Sequence, residues 1–295
     1  MRSILISVVV AGLALGAVGA EKKKEKGART PKPSPKIEQR YLDLYEPCRF
    51  KTMPYRLMKP IDFDENKTYP LILSLHGAAG KGDDNLKNFK EWNFSMAEES
   101  WRKKYPCFVL MPQMRRGWTM VERDKSLKGQ PGTAVLSIEL IEQLKGEYKI
   151  DEERIYVLGH SMGGQGTWIT IWNHPDYFAA AIPSAGAPFS PPDSELEEQP
   201  YSRFKDVPVW AFHSDDDGTI DVECSRKIFR AMQECGGNMK YTEVTGFGHG
   251  ANKVAFTHPS QKEVGFETQY SSARCDKTED VWDWLFMQKK PTASQ

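Results

Sequence analysis

A serine flanked by glycines stands between an apolar run and a helical segment in the middle of the chain. The motif is Gly159-His160-Ser161-Met162-Gly163-Gly164, with Ile155 to Leu158 before it and Gln165 to Trp172 after it. The apolar run predicts a buried strand, and the following segment predicts a helix. Without these neighbours the motif would describe an ordinary glycine-rich turn. With them it is typical of a nucleophile elbow, in which only glycine fits beside the serine. We therefore expect Ser161 to be a nucleophile above the positive end of a helix.

A histidine must lie within hydrogen-bond reach of Ser161 if its hydroxyl is to be activated. In folds where a serine stands in such an elbow between a strand and a helix, the acid and then the base follow the serine along the chain, each on a loop after a later strand. His249 follows the apolar run Tyr241 to Val244 in a glycine-rich loop, whereas His258 has no strand before it. We therefore expect His249 to be the base. The other four histidines lie at or before the serine, at a helix end or ahead of the acid: His76, His160, His174 and His213.

The candidate acids stand in an acidic loop, His213-Ser214-Asp215-Asp216-Asp217-Gly218, after the expected strand Val207 to Phe212. A carboxylate at this strand end can reach a histidine on the next loop. We expect Asp217 to be the acid because it lies furthest round the turn. The loop does not fit calcium, because histidine and cysteine would occupy its first and last ligand positions. Three other acids remain open: Asp215, Asp216 and Asp221.

The negative oxygen of a tetrahedral intermediate needs two hydrogen-bond donors. Small residues follow the expected strand Leu71 to Leu75, in the sequence His76-Gly77-Ala78-Ala79-Gly80. They leave backbone N–H groups accessible near the serine. On a fold of this kind one donor follows the nucleophile and the other lies in the loop after an early strand. We assign the two donors to the N–H groups of Met162 and Ala78.

Apolar runs alternate with helical patterns, which predicts a mostly parallel sheet flanked by helices, an α/β fold. Leu136, Leu140 and Leu144 repeat every four residues and should lay one apolar stripe on the sheet. A second amphipathic helix should end at Gly236-Gly237, and a last one should include Trp284. Seven strands are expected: Tyr55 to Lys59, Leu71 to Leu75, Cys107 to Met111, Ile155 to Leu158, Ala179 to Pro183, Val207 to Phe212 and Tyr241 to Val244.

The N-terminus has the features of a signal peptide. Residues 1–20 combine a positive start, an apolar run and small residues before an expected cleavage ahead of Glu21. The run is short for a membrane span, and a retained anchor is the alternative. Residues 21–40 are rich in lysine and proline and should form a disordered linker. Residues 41–290 should form one catalytic domain, and the protein should be secreted or periplasmic.

Composition narrows the function classes further. Lysine and arginine number 40 and aspartate and glutamate number 40, so the formal net charge is zero. This balance argues against nucleic acid as a partner and against an anionic membrane surface, which need a clustered basic face. The five cysteines have no C-x-x-C spacing, so neither a zinc site nor a dense disulfide framework is expected. An exported chain could still form one or two bridges, and the pairs stay open.

Five blocks of the sequence carry a family resemblance: YPLILSLHGAAGKGDDN, PCFVLMPQ, DEERIYVLGHSMGGQGTW, VPVWAFHSDDD and KYTEVTGFGHG. In this order they resemble the secreted α/β-hydrolase esterases grouped with polyhydroxybutyrate depolymerases, feruloyl esterases and prolyl oligopeptidase-like proteins. The resemblance implies the α/β-hydrolase fold, with the triad Ser161, Asp217 and His249. It also implies an oxyanion contribution from the turn that begins at His76. The expected substrate-pocket residues are His76, Gln113 and Trp118.

Two departures from the family pattern stand out. Ser214 and an acidic triplet occupy positions where the family usually has a glycine and a single aspartate. Residues 251–277 separate the expected base from the last helix and could cap the pocket. The expected activity is serine hydrolysis of small-molecule or polymer-linked carboxylic esters, with no cofactor, no metal and no stable membrane insertion after signal cleavage. The alternatives are a prolyl oligopeptidase-like peptidase and a non-catalytic binding protein of the same fold.

Overall fold

The computed structural model describes residues 36–119, 131–187, 201–257 and 265–290. The expected signal peptide, and the expected linker up to residue 35, lie outside these ranges. Gln39 and Arg40, which we assigned to the linker, already belong to the first helix. Residues Lys36–Gln295 group as one unit by their contacts. Within the described ranges, no helix is both long and apolar enough to cross a bilayer.

Among the described residues, nine strands form one sheet in the order β1-β2-β4-β3-β5-β6-β7-β8-β9. The strands from β4 to β8 in this order run parallel, while β1, β2 and β9 pair antiparallel with their neighbours. A mostly parallel sheet flanked by helices is confirmed. The strands are β1 Tyr45–Phe50, β2 Met53–Met58, β3 Tyr69–Leu75, β4 Phe108–Pro112, β5 Ile150–His160, β6 Ala180–Ser184, β7 Val209–Ser214, β8 Met239–Val244 and β9 Thr268–Tyr270.

The central strands form because their residues can be buried on both faces of the sheet. Every residue of β3, β4, β6 and β7 is buried. Alternate side chains belong to separate cores: Leu71 and Leu73 lie in one, and Ile72 lies in the other. All seven expected strands are present, and β1 and β9 are additions that the sequence patterns did not predict.

In the part of the chain that the structure describes, eight α-helices cover the two faces of the sheet. The apolar stripes of α4, α5 and α6 pack on one face of the sheet, and those of α2, α7 and α8 pack on the other. The expected end of α6 is confirmed, because Gly236 has a positive φ of 64° and Gly237 N–H donates to the Met232 carbonyl. The helices are α1 Gln39–Leu44, α2 Glu91–Ala97, α3 Glu99–Lys104, α4 Thr133–Glu147, α5 Met162–Asn173, α6 Glu223–Glu234, α7 Asn252–Thr257 and α8 Val281–Met287.

The parallel strands bring four loops to one edge of the sheet. The carboxyl ends of β3, β5, β7 and β8 all point to this edge, so the segments that follow them become neighbours. These four segments contain the residues for which the sequence predicts chemistry.

The five cysteines are all free thiols, so none of the disulfides left open above is formed.

Candidate active site

Ser161 lies in a strained turn between β5 and α5. Its φ of 57° and ψ of −122° fall in a region that non-glycine residues rarely adopt. The two flanking glycines are required by space. A Cβ on Gly159 would lie 2.5 Å from the Gly163 carbonyl, and a Cβ on Gly163 would overlap the Leu75 carbonyl. The turn therefore has the strained geometry of a nucleophile elbow, with the serine at its tip and a helix starting directly after it.

The end of β6 holds the elbow from one side. Ser161 N–H donates to the backbone carbonyl of Ser184 over 2.8 Å, and Gln165 N–H donates to the Ser161 carbonyl over 2.9 Å. A Cβ on Gly164 would lie 2.5 Å from the same Ser184 carbonyl. The backbone of the serine is therefore fixed by a neighbouring strand as well as by its own helix.

Three side chains from three loops meet at this point. His249 Nε2 lies 2.7 Å from Ser161 Oγ, and His249 Nδ1 lies 2.7 Å from Asp217 Oδ2. With a proton on Nδ1, His249 donates to the carboxylate and accepts from the serine hydroxyl. The Asp217 side chain is fully buried, whereas 26% of the His249 side chain is exposed. This arrangement can pass the serine proton to the imidazole while the carboxylate stabilises the resulting cation.

The surroundings of Asp217 keep it ionised. Burial acts to raise the pKa of Asp217, but hydrogen bonds outweigh it and place the pKa below its ordinary value. The largest opposing contribution is the hydrogen bond from His249, followed by those from the backbone N–H groups of Ile220 and Thr219. These two N–H groups both donate to Oδ1, over 3.1 and 2.8 Å, whereas Oδ2 faces His249.

The other candidate acids have different partners. Asp216 Oδ1 accepts from Ser214 Oγ over 2.5 Å and from the Gly248 N–H over 2.9 Å. Asp215 accepts from Thr245 Oγ1, and Asp221 accepts from a backbone N–H at the start of α6. Of the four acids left open by the sequence, Asp217 is the one that the structure places against His249. His258, the other candidate base, lies outside the described residues.

The two expected oxyanion donors stand at the starts of short helical segments. Met162 is the first residue of α5, and Ala78 is the first residue of the 3-10 turn Ala78–Gly80. First-turn N–H groups have no acceptor within their own helix, so they are available to a ligand. A Cβ on Gly77 would lie 3.5 Å from the Cβ of Ser161, so this turn lies directly against Ser161.

The structure corrects the expectation that His76, Gln113 and Trp118 line the substrate pocket. Each is at most 1% exposed, and each is engaged with the protein itself. Gln113 Nε2 donates to the Gly80 carbonyl over 3.0 Å. Trp118 Nε1 donates to the His76 carbonyl over 3.0 Å, with its ring packed against Gly166. The three side chains instead support the turn that contains Ala78 from beneath.

The His76 ring illustrates this supporting role. Its Nε2 accepts the Met114 N–H over 3.2 Å, and its Nδ1 lies 2.8 Å from the Gly77 carbonyl. Burial lowers the pKa of His76 to about 3, so the ring stays neutral with its proton on Nδ1. One histidine thereby fixes the loop after β4 to the turn after β3.

Two further histidines flank the three central side chains, and sequence reasoning assigned neither a role there. His160 packs its ring 4.9 Å from the ring of His249, and its Nδ1 lies 3.2 Å from Ser184 Oγ. His213 is buried, and its Nε2 lies 3.4 Å from Asp217 Oδ2. His160 stands inside the elbow motif, so its position was visible, but its contact with His249 depends on strand order and loop shape.

Comparison with known proteins places this chain in a family. The family named Esterase, described as "Putative esterase", matches residues 51–219, which is more than half of the 295 residues. The chain belongs to this esterase family. The expected resemblance to α/β-hydrolase esterases is thereby confirmed.

Individual relatives agree with the family. A poly(3-hydroxyalkanoate) depolymerase C of Paucimonas lemoignei is 27% identical over 126 residues, which are 41% of this chain and 28% of the relative. A bifunctional acetylxylan esterase/xylanase of Neocallimastix patriciarum is 28% identical over 173 residues, 56% of this chain and 22% of the relative. The matches therefore span well under half of the length of these curated relatives.

A solved structure covers more of the fold of this esterase. A thermostable esterase superposes with a TM-score of 0.65 at 32% sequence identity, over 84% of this chain and 64% of the other. The nine-stranded sheet with its flanking helices is accordingly an α/β-hydrolase fold.

Proposed function

We propose that this protein is a serine hydrolase of carboxylic esters in which Ser161 is the nucleophile, His249 the general base and Asp217 the acid. The observation that carries the proposal is a pair of contacts: the imidazole of His249 lies 2.7 Å from the serine oxygen on one side and 2.7 Å from the Asp217 carboxylate on the other. A buried carboxylate aimed at one nitrogen of a histidine, whose other nitrogen faces a serine hydroxyl, is the arrangement that activates a serine. Membership of the esterase family supports the same reaction class.

The reaction proceeds by a covalent acyl-enzyme. His249 Nε2 takes the proton of Ser161 as the serine oxygen bonds to the ester carbonyl carbon. The N–H groups of Met162 and Ala78 stabilise the oxygen that becomes negative. His249 then gives the proton to the alcohol as the ester bond breaks. Water enters, loses a proton to the same nitrogen and attacks the acyl group, and the proton returns to Ser161 as the acid leaves.

The substrate class follows from the relatives rather than from the three central side chains. The depolymerase and the acetylxylan esterase named above act, by their names, on a polyester and on acetylated xylan. We propose that this chain hydrolyses acyl groups that are linked to a polysaccharide or form a polyester. The N-terminal run supports action outside the cytoplasm, as a secreted or periplasmic enzyme, because it has the positive start, apolar stretch and small residues of a signal peptide.

The test of the reaction class is labelling by a fluorophosphonate probe, which bonds to an activated serine. The wild-type protein should be labelled, and Ser161→Ala should not be. Ser95→Ala is the matched control. Ser95 lies on α2, outside the elbow, and its hydroxyl donates to the Glu91 carbonyl of the same helix. Labelling that persists in Ser161→Ala, or an unlabelled wild-type protein, would contradict the proposal.

The substrate class needs a second assay. Initial rates on p-nitrophenyl esters of increasing acyl length are compared with those on acetylated xylan, feruloylated sugars, a hydroxyalkanoate polyester and peptide anilides. Release of acyl groups from at least one polymer-linked substrate is the expected result. Turnover of peptide anilides without ester hydrolysis would contradict the proposed ester chemistry and favour a peptidase.

A further inference from the structure

The loop that contains His249 is held mainly from one side by the acidic loop. Residues 245–251 connect β8 to α7, and two of them, Gly246 and Gly248, have positive φ angles of 82° and 51°. Phe247 N–H donates to Ser214 Oγ over 3.2 Å, and Gly248 N–H donates to Asp216 Oδ1 over 2.9 Å. These contacts fix the loop to the end of β7. They do not by themselves fix its distance from β5, where Ser161 stands.

His160 contacts this loop from the opposite side. It is the last residue of β5, directly before the nucleophile, and its ring packs against the ring of His249 with 4.9 Å between centroids. The His160 side chain also lies against the backbone of His249. Because His160 directly precedes Ser161 in the elbow, the elbow itself holds a side chain that contacts both the ring and the backbone of His249.

The other end of the His160 ring is anchored at β6. Its Nδ1 lies 3.2 Å from Ser184 Oγ, and Ser184 is fully buried. The backbone carbonyl of the same Ser184 accepts the N–H of Ser161. Ser184 thus connects the backbone of the nucleophile with the ring that contacts the base.

The ring is suited to this bridge because it is neutral. Burial, together with the neighbouring His249, lowers the pKa of His160 to about 4. A neutral imidazole has one acceptor nitrogen, which can take the Ser184 hydroxyl, and one N–H, which can donate to the backbone. An uncharged neighbour also avoids repelling His249 when that ring becomes a cation during the reaction.

We infer that His160 is a positioning residue, which holds the imidazole of His249 against Ser161 by bridging Ser184 and His249. This inference rests on the proposed function, because it assigns a role in the same reaction. It adds a fourth and a fifth side chain, those of His160 and Ser184, to the three that carry out the chemistry.

The test removes the bridge and then restores it. His160→Phe keeps an aromatic ring but removes both ring nitrogens, and with them the hydrogen bond to Ser184, whereas His160→Gln keeps a donor and an acceptor. Because a misplacement of about 1 Å at a reacting group costs about 10²-fold in rate, we expect His160→Phe to lower kcat by about 10- to 100-fold with little change in KM. His160→Gln should recover most of the loss. His174→Gln, at the far end of α5, is the control and should keep wild-type rates.

Ser184→Ala removes the anchor by deleting a single oxygen and tests the inference even if His160→Phe does not fold. It should lower kcat by a smaller factor. The double variant should be no slower than His160→Phe alone, because the two residues act through one bridge. Rates on p-nitrophenyl acetate are divided by the number of serines that a fluorophosphonate probe can titrate, so unfolded molecules do not count.

Three results would overturn the inference. They are an unchanged kcat per titrated serine in His160→Phe, an equal loss in His160→Phe and His160→Gln, and an unchanged kcat in Ser184→Ala. Each is separable from failure of the proposed function. A wild-type protein that the probe does not label contradicts the esterase mechanism, whereas a labelled protein with an indifferent His160 contradicts only the bridge.

Discussion

Replacement of Asp217 by asparagine is the most discriminating test of the proposed acid. The carboxylate has divided duties: Oδ1 accepts two backbone N–H groups, of Thr219 and Ile220, and Oδ2 faces His249 Nδ1 at 2.7 Å. Asparagine has one acceptor oxygen and one NH₂ group, which only donates. The two N–H groups require the oxygen at the Oδ1 position. The NH₂ group must then face His249.

The consequence reaches the serine through the imidazole. A donor placed 2.7 Å from Nδ1 makes this nitrogen an acceptor, so the proton of the neutral ring moves to Nε2. Nε2 then presents a hydrogen to Ser161 and can no longer take the serine proton. Loss of the correct tautomer in this constellation costs about 10⁴-fold in kcat, which corresponds to about 5 kcal/mol of transition-state stabilisation. We expect Asp217→Asn to lose activity by this order.

Asp216→Asn provides a matched control, because it makes the same change of a carboxylate to an amide in the same loop. Asp216→Asn can still accept from Ser214 and Gly248 through its amide oxygen, so its kcat should stay within an order of magnitude of the wild type. The assay is kcat and KM on p-nitrophenyl acetate at pH 8, with circular dichroism as a check of folding. Asp217→Asn with more than about a tenth of wild-type kcat would refute the tautomer argument, and so would an equal loss in Asp216→Asn.

Two further predictions concern stability. Gly163→Ala should prevent accumulation of folded protein or lower its free energy of unfolding by about 3 kcal/mol or more, because its Cβ would overlap the Leu75 carbonyl. Urea unfolding measures this effect. The control is Gly146→Ala on α4, where a Cβ meets nothing within 4 Å and the free energy of unfolding should not fall. Lys240 is 1% exposed, and burial lowers its pKa to about 7. The unfolded chain keeps this proton up to about pH 10.4, so wild-type stability should rise between pH 7 and 9 by at most about 1.4 kcal/mol per unit relative to Lys240→Met. Parallel pH dependences in the two proteins would contradict the burial argument.

The sequence was most informative where a local pattern has one physical cause. The apolar runs identified the seven central strands because burial on both faces leaves little room for polar residues. The elbow was visible because two glycines and a serine at fixed spacing meet a steric demand that the turn imposes. His249 followed from the order of strands.

The sequence identified the loop that contains the acid, but its pattern did not decide which aspartate of that loop faces His249. Asp215, Asp216 and Asp217 are chemically identical and adjacent, and all lie at the end of β7. Their directions are set by where the backbone turns after Ser214. The two N–H groups that orient Asp217 belong to residues two and three positions later, and their orientation is not encoded in composition or periodicity.

The error over Gln113 and Trp118 has a related origin. Both side chains combine polar and apolar atoms, so either can line a cleft or satisfy buried backbone groups. Gln113 contacts Gly80, Asp84 and Asn85 at once, a set brought together only by the folded loops. A side chain with this many protein partners has none of its polar atoms left for a substrate.

The segment after His249, which we expected could cap the pocket, contributes two elements in the parts that the structure describes: α7 packs on one face of the sheet, and β9 extends the sheet at one edge. β9 pairs along β8, with Tyr270 opposite Lys240 and Thr268 opposite Thr242. A lysine is a common device for protecting an exposed edge strand. Here β9 covers that edge, and the Lys240 ammonium lies 3.4 Å from the ring centre of Trp210 and donates to the Thr278 carbonyl. The Lys240 amine therefore keeps partners within the protein after losing water, and β9, a three-residue strand without an apolar pattern, pairs with the backbone of β8.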